Sequence, residues 1–201
     1  MAKALVIFLH GFGSNGEDLA ALGRHWAPLL PDVVFAAPDA PEPFPYGAGF
    51  QWFSLEGITP ENRPARVRAA RTAFRTTLER IMAQHGLSNQ WDSVVLTGFS
   101  QGSIMALDML ASGAHPLAGV VAFSGRLAFD EPLTPAYQTP ALLIHGHADE
   151  VISWRESESA AQRLKAAGVS VELLLEPKTP HTISAQGAMR AATFIAQCLR
   201  D

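Results

Sequence analysis

Short apolar runs alternate with amphipathic segments along most of the chain. Six runs rich in Val, Ile, Leu and Phe predict strands near residues 4–9, 33–37, 93–98, 118–123, 140–145 and 169–175. Apolar residues at helical spacing predict helices near 17–30, 63–86, 101–113, 154–167 and 184–199. Strands that alternate with helices are typical of a mostly parallel sheet covered on both faces. The pattern therefore predicts an α/β fold.

The third predicted strand leads into the pentapeptide Gly98-Phe99-Ser100-Gln101-Gly102, and a helix follows it. This G-x-S-x-G pattern between a strand and a helix is typical of a nucleophile elbow, a tight turn that exposes the serine hydroxyl at the sheet edge. Glycine on either side permits the close backbone approach that such a turn needs. The pattern predicts Ser100 as a nucleophile, and the alternative is an ordinary strand-to-helix connection.

A serine nucleophile needs a histidine to take its proton and a carboxylate to orient that histidine. In α/β sheets of this kind the partners follow in the chain order Ser, Asp or Glu, His. The loop after the fifth predicted strand carries Asp149, and the loop after the sixth carries His181. The order predicts Ser100, Asp149 and His181 as a catalytic set. Glu150 is an alternative acid, and Asp149 or His181 could instead have a purely structural role in its loop.

The loop after the first strand, His10-Gly11-Phe12-Gly13, supplies candidate hydrogen-bond donors. In nucleophile-elbow enzymes a backbone N–H from such a loop stabilises the developing oxyanion together with the N–H after the nucleophile. We expect these donors to be the amides of Phe12 and Gln101.

The same loop also matches a different class of protein. Residues 11–16 fit the G-x-G-x-x-G pattern of dinucleotide-binding oxidoreductases, and Asp39 follows the second strand, where a ribose-binding acid would lie. Glu17 and Asp18, however, begin the next helix, where a pyrophosphate needs positive potential. This dinucleotide-binding alternative also leaves the serine, aspartate and histidine motifs without a function.

Residues 38–62 form a long segment that is rich in proline and glycine and has neither helical nor strand periodicity. Loops of this length in compact domains are usually functional. Because the segment follows the second strand, we expect it to form a wall of an acyl pocket beside Ser100. The side chains predicted to bind substrate are the aromatic residues Phe44, Tyr46, Phe50 and Trp52. The alternative is that these rings only anchor the loop.

The chain as a whole has the composition of a compact enzyme. Its 201 residues are 48% hydrophobic and 17% charged, which predicts a single domain over residues 1–201. The arginines of the second predicted helix are interleaved with acids and the formal net charge is −4, so we expect a solvated helix face and no nucleic-acid partner. One cysteine and the lack of a long apolar stretch favour a cytoplasmic protein without stable membrane anchoring.

A metal hydrolase is a further alternative, because His145, His147 and Asp149 form an H-x-H-x-D run. A metal site would need more ligands and supporting hydrogen bonds than this run provides. We therefore expect neither a metal ion nor a cofactor.

The motifs together resemble the phospholipase/carboxylesterase family of α/β-hydrolases, which includes the acyl-protein thioesterases. The matching segments are Leu9-His10-Gly11-Phe12-Gly13 with Asp18, Gln51-Trp52-Phe53, the pentapeptide around Ser100, His145-Gly146 with Asp149-Glu150-Val151, and His181 with Ile183. The chain departs from the family pattern at Ser54, Ser103 and Pro180.

The resemblance implies an α/β-hydrolase fold without a cap domain, with Ser100 as nucleophile, Asp149 as orienting acid and His181 as general base. It also implies that the Phe12 and Gln101 amides form the oxyanion hole. The expected activity is cleavage of carboxylic esters or thioesters through an acyl-enzyme. The expected substrates are small-molecule esters or thioesters, including lysolipids, or acylated proteins.

Overall fold

The computed structural model describes residues 4–200 and contains one six-stranded sheet in which every neighbouring pair of strands is parallel. Its strands are β1 (Ala4–Leu9), β2 (Val33–Ala36), β5 (Val94–Phe99), β6 (Gly119–Phe123), β7 (Ala141–Gly146) and β8 (Val171–Glu176). Their order across the sheet is β2-β1-β5-β6-β7-β8. The predicted fold class and all six predicted strands are confirmed.

Five helices cover the two faces of this sheet. They are α1 (Glu17–Trp26), α2 (Arg63–Gln84), α3 (Gln101–Ser112), α4 (Trp154–Ala166) and α5 (Ala185–Cys198). Apolar side chains of α2, α3 and α4 pack on one face, and those of α1 and α5 pack on the other. Strand β1 serves both cores, because Leu5 and Ile7 point to the first and Val6 and Phe8 to the second. All six residues of β1 are buried, as expected for a central parallel strand.

Helix α1 is shorter than the sequence pattern predicts. It ends at Trp26, whereas the apolar periodicity continues to residue 30. Pro28 has no N–H to continue the helical ladder, which explains the earlier end. The other helices end within two residues of the predicted bounds.

The long segment 38–62 contains a two-stranded antiparallel ribbon of β3 (Glu42–Pro43) and β4 (Phe50–Gln51). Strands of two residues are too short to show alternation, so the sequence did not predict them. The ribbon is joined to the loop after β1 by two backbone hydrogen bonds, from Gly13 N–H to Phe50 O at 2.9 Å and from Phe50 N–H to Ser14 O at 2.8 Å. The two loops therefore form one connected unit.

The strand order changes direction between β1 and β5. After β1 the chain forms β2 on one side, and it later returns on the other side to form β5. Loops at the carboxyl ends of two such strands diverge and leave a crevice, which is where open α/β sheets bind ligands. The loops that carry Phe12 and Ser100 lie at this point.

Within residues 4–200, no helix is both long and apolar enough to cross a membrane.

Candidate active site

Ser100 occupies the sharp turn between β5 and α3. Its backbone has φ 53° and ψ −115°, a left-handed conformation that is unusual for a residue other than glycine. The turn requires glycine on both sides through close approach, because a Cβ on Gly98 would lie 2.5 Å from Ser103 N and one on Gly102 would lie 2.0 Å from Leu9 O. Such strain at a serine is characteristic of a nucleophile held away from the backbone around it.

Ser103, one of the departures from the family pattern, is accommodated within the helix–strand contact. Its hydroxyl donates a 2.7 Å hydrogen bond to Phe123 O, at the end of β6. Gly125 leaves the space that the serine needs, since a Cβ there would lie only 2.4 Å from the Ser103 Cβ. The serine therefore adds a bond between α3 and β6 without displacing the turn at Ser100.

The structure brings Ser100, His181 and Asp149 together in one line of hydrogen bonds. The Ser100 hydroxyl lies 3.1 Å from Nε2 of His181, and Nδ1–H of His181 donates to Oδ2 of Asp149 at 2.7 Å. The His181 ring packs against Phe99, with 4.8 Å between the ring centroids. Pro180 fits this arrangement, because its carbonyl accepts a hydrogen bond from Thr182 N–H across the histidine at 2.8 Å.

Asp149 is buried and has hydrogen bonds on both carboxylate oxygens. Its Oδ1 accepts from the backbone N–H groups of Val151 and Ile152, each at 2.9 Å, while Oδ2 accepts from His181. Burial opposes ionisation, but the bonds from His181, Ile152 and Val151 outweigh it and hold the pKa of Asp149 below its ordinary value. Glu150, the alternative acid, is exposed and makes no hydrogen bond or ion pair with the histidine. Asp149 is therefore the carboxylate that can orient His181.

The two other histidines near this loop are held by contacts of their own. His145 is fully buried, where it donates from Nε2 to Ile152 O at 2.8 Å and accepts at Nδ1 from the Ser157 hydroxyl at 2.6 Å. Its Nε2 also lies 3.2 Å from Oδ2 of Asp149, the oxygen that accepts from His181. His147 stacks on Trp154 with ring centroids 4.4 Å apart. Both ring nitrogens of His145 are thus used by hydrogen bonds, and the H-x-H-x-D run has a structural explanation. In the described part of the chain, no group of three or more His, Cys, Asp or Glu is arranged to hold a metal ion.

Phe12 and Gln101 both line the cavity over Ser100, and neither backbone N–H has an acceptor within residues 4–200. The Phe12 N–H, in the loop after β1, makes no hydrogen bond with a described residue. The Gln101 N–H is the first of α3 and has no intrahelical acceptor. The Gln101 side chain holds the neighbouring loop, because its Oε1 accepts from Trp52 N–H and its Nε2 donates to Phe53 O, both at 2.7 Å. This arrangement leaves the two amides available to an oxyanion.

The structure places the four predicted substrate-binding aromatics away from the cavity over Ser100. Phe44 packs edge-on against Phe12 at 5.0 Å and also contacts the exposed Tyr46. Trp52 is buried and donates from Nε1 to His10 O at 2.9 Å. Phe50 contributes the backbone bonds of β4. These contacts anchor segment 38–62 to the loop that carries Phe12.

A cavity of about 440 Å³ opens above Ser100 and His181. Most residues in its wall were not predicted from the sequence, among them Leu55 and Ile58 from segment 38–62, Arg63 from the start of α2, and Arg126 from the loop after β6. The walls also include Ile104, Val151 and Ile152. A weak signal was available for Leu55 and Ile58, which are apolar residues in a loop that is otherwise polar at that end.

The loop over residues 11–16 is occupied by contacts within the protein. Asp39, the candidate ribose-binding acid, accepts a hydrogen bond from Gly16 N–H at 2.8 Å. Asn15 accepts from Asp18 N–H, and the Ser14 hydroxyl donates to the Asp18 carboxylate. The start of α1 is therefore covered by acidic and polar side chains.

Comparison with known proteins gives consistent matches over the chain. A family model described as Phospholipase/Carboxylesterase matches residues 1–199. Esterase YpfH of Escherichia coli is 36% identical over 182 residues, which are 90% of this chain and 77% of that protein. Acyl-protein thioesterase 1 of Candida albicans is 29% identical, over 83% of this chain and 79% of its own. The solved structure of esterase PE8 has 37% identity and a TM-score of 0.90, over 98% of this chain and 94% of that chain.

Proposed function

This chain belongs to the phospholipase/carboxylesterase family of α/β-hydrolases, and we propose that it is a serine hydrolase that cleaves carboxylic esters or thioesters. The observation that carries the proposal is the line of hydrogen bonds from Ser100 through His181 to Asp149, at 3.1 and 2.7 Å. A nucleophile, a general base and an orienting acid are the groups that acyl transfer to a serine requires. The proposed chemistry uses neither a metal ion nor a cofactor.

The first half of the reaction forms an acyl-enzyme. Nε2 of His181 takes the hydroxyl proton of Ser100 as Oγ attacks the carbonyl carbon. The negative charge that develops on the carbonyl oxygen is stabilised by the N–H groups of Phe12 and Gln101, together with the positive end of α3. When the tetrahedral intermediate collapses, His181 gives its proton to the leaving alcohol or thiol.

The second half releases the acid. His181 removes a proton from water, which attacks the acyl carbonyl, and the same amides stabilise the second tetrahedral intermediate. Its collapse returns the proton to Ser100. Asp149 stays ionised in both halves, which holds Nδ1 of His181 protonated and stabilises the imidazolium. The hydrogen bonds from Val151 and Ile152 support this role, because they favour the carboxylate form.

The substrates that we propose are small-molecule esters or thioesters, including lysolipids, or acylated proteins. The names of the relatives, an esterase and an acyl-protein thioesterase, support this range. The apolar wall of Leu55, Ile58 and Ile104 supports binding of a short to medium apolar chain. We further propose that the chain is a single catalytic domain, since the six strands from Ala4 to Glu176 form one sheet, and that it acts in the cytoplasm without a nucleic-acid partner.

The oxidoreductase alternative receives no support from the relatives, which are esterases and thioesterases by name. The hydrogen bond between Gly16 N–H and Asp39 also occupies two of the groups that a dinucleotide would use. A bound dinucleotide at a hundred times its Kd would add about 2.7 kcal/mol to the free energy of unfolding and so raise the melting temperature. Because we expect no binding, NAD and NADP should leave the melting temperature unchanged.

The proposal is tested by steady-state hydrolysis of 4-nitrophenyl butyrate and of a butyryl thioester. Ser100→Ala is expected to lower kcat by about a millionfold, because the residues of such a set act as a unit. Circular dichroism and the melting temperature establish that the variant is folded. Hydrolysis by the folded variant at the wild-type rate would show that another group is the nucleophile.

A further inference from the structure

Two arginines line the cavity that contains Ser100 and His181. Arg63 comes from the first turn of α2, and Arg126 comes from the loop after β6. No aspartate or glutamate is among the residues that line this cavity. Both arginines are partly buried, so solvent screens their charges less than it would screen charges on an open surface.

Neither arginine is neutralised by an ion pair within residues 4–200. Other arginines on α2 do form ion pairs. Arg68 pairs with Asp130 and Glu131, and Arg71 forms a bidentate pair with Asp108 at 2.7 and 2.9 Å. Arg66, which makes no ion pair, donates instead to the carbonyls of Ser54 and Glu56. The side chains of Arg63 and Arg126 make no hydrogen bond or ion pair with a described residue. Their donors are therefore available to a ligand.

The two cations are close enough to influence each other. Burial, and then the charge of Arg126, lower the pKa of Arg63. Glu156 on α4 and Glu61 oppose this effect, but neither carboxylate lies within ion-pair distance of Arg63. Asp149 is bonded on both oxygens, to His181 and to the backbone N–H groups of Val151 and Ile152. An anion bound between the arginines would relieve their repulsion and accept their unused N–H donors.

We propose that Arg63 and Arg126 form an anion subsite that selects esters or thioesters carrying a second, anionic group, a carboxylate or a phosphate. The inference rests on the proposed function, because it assigns the substrate class of the same site. The apolar side chains of Leu55 and Ile58 lie in the same cavity. They would cover the apolar spacer between the reacting carbonyl and the anion. Arginine suits this task, because its planar donors match the oxygens of carboxylates and phosphates.

The experiment compares each anionic ester with a neutral ester of similar shape. On the acyl side, monomethyl adipate is paired with its neutral amide, methyl 5-carbamoylpentanoate. On the leaving-group side, 3-acetoxybenzoate and 3-acetoxyphenyl phosphate are each compared with the neutral 3-acetoxybenzamide. The adipate pair tests an anion on the acyl group, and the other pairs test an anion on the leaving group. The last two anionic esters also distinguish a carboxylate from a phosphate. The readout is the ratio of kcat/KM for the anionic ester to that for its neutral partner.

The wild-type protein is expected to favour the anionic member of at least one pair by about tenfold or more, as charge-assisted hydrogen bonds typically permit. Arg63→Gln and Arg126→Gln should each reduce the ratio, and the double variant should bring it near one. Arg63→Lys and Arg126→Lys should keep part of it, because the charge remains. Raising NaCl from 0.05 to 0.5 M should also reduce the wild-type ratio through screening.

Arg80→Gln is the matched control. It removes the same charge from the same helix, but 17 residues from Arg63, or about 25 Å along the axis. This variant should keep the wild-type ratio. The inference would be overturned by a wild-type ratio near one in every pair, or by a ratio that the folded double variant keeps. In either case, hydrolysis of the neutral esters would still uphold the proposed function. Failure of the wild-type protein to hydrolyse any ester would overturn both.

Discussion

Two adjacent acids, Asp149 and Glu150, differ in burial, because their side chains lie on opposite sides of one turn. Asp149 turns inward, where His181 and the amides of Val151 and Ile152 surround its carboxylate. Glu150 turns outward into solvent. A carboxylate with three donors remains ionised even when it is buried, and that charge is what a protonated imidazole needs from its neighbour.

We predict that Asp149→Asn lowers kcat by about four orders of magnitude, because an amide can hold His181 in the wrong tautomer, as the same substitution does in serine proteases. Glu150→Gln is the matched control and should have kcat within a factor of about two of the wild type, as expected for an exposed side chain without partners. The measurement is kcat for 4-nitrophenyl butyrate in both variants. A severe loss in Glu150→Gln with activity kept in Asp149→Asn would transfer the orienting role to Glu150.

Segment 38–62 combines two functions that the sequence does not separate. Two of its aromatic side chains contact the loop after β1, where Phe44 packs on Phe12 and Trp52 bonds to His10 O. Its aliphatic residues, Leu55 and Ile58, point toward the cavity over the serine. One half of the segment therefore holds the loop that carries Phe12, the proposed oxyanion donor, and the other half provides an apolar wall.

Alanine substitutions within this one segment should separate the two functions. Trp52→Ala should lower the melting temperature and reduce kcat/KM for all acyl lengths alike, since truncation of a buried tryptophan costs about 3–5 kcal/mol. Leu55→Ala and Ile58→Ala should instead change the ranking of acyl lengths, because each methylene in an apolar site contributes about 0.8 kcal/mol. The test measures kcat/KM for acetyl, butyryl, hexanoyl and octanoyl esters beside the melting temperature. An altered ranking in Trp52→Ala alone would reverse this assignment.

The arginines of helix α2 have partners that the periodicity of the sequence does not reveal. Its arginines look like a solvated face in the sequence, yet Arg66 bonds to segment 38–62 and Arg71 bonds to α3 through Asp108. Arg63, at the first position of the same helix, lines the cavity. Which partner an arginine meets depends on the elements packed around it, so the direction of a long side chain follows only from the assembled fold.

At the scale of the whole molecule, two buried histidines couple folding to pH. His10 donates from Nδ1 to Gly11 O and accepts at Nε2 from Ala40 N–H, which requires its neutral form. His145 is neutral for the same kind of reason, with Ser157 and Ile152 as its partners. Burial is the main cause that lowers the pKa of each below the ordinary value of 6.5, against the opposing effect of the backbone hydrogen bonds to Gly11 and Ile152 and of nearby acids.

The free energy of unfolding should therefore fall as the pH is lowered from 7.5 to 5.5. In this window the unfolded chain gains protons on His10 and His145 that the folded protein binds only at lower pH, so protonation favours unfolding. The stabilisation is fully present above pH 6.5 and declines below it. Urea unfolding at the two pH values measures the difference, and replacement of the exposed His85 by Gln should leave it unchanged. Equal or greater stability at pH 5.5 would contradict the prediction.

The sequence predicts most of the strands and helices, because each has a regular pattern of apolar residues. Apolar runs locate the six strands of the sheet, and apolar residues at helical spacing locate its five helices. The rule that parallel strands end at one edge explains why Ser100, Asp149 and His181, 81 residues apart at most, meet within hydrogen-bond distance. Loops have no period, so the inward turn of Ile58 and the entry of Arg126 into the cavity could not be predicted.

The central claim is that Ser100 is the nucleophile, and covalent labelling tests it most directly. The wild-type protein, treated with a fluorophosphonate, should gain the mass of one adduct, and peptide mapping should place that adduct on Ser100. Ser100→Ala should gain none, while Ser14→Ala, which removes another hydroxyl from the same cavity, should still be labelled. A folded Ser100→Ala protein that takes up the label as fast as the wild type would contradict the account.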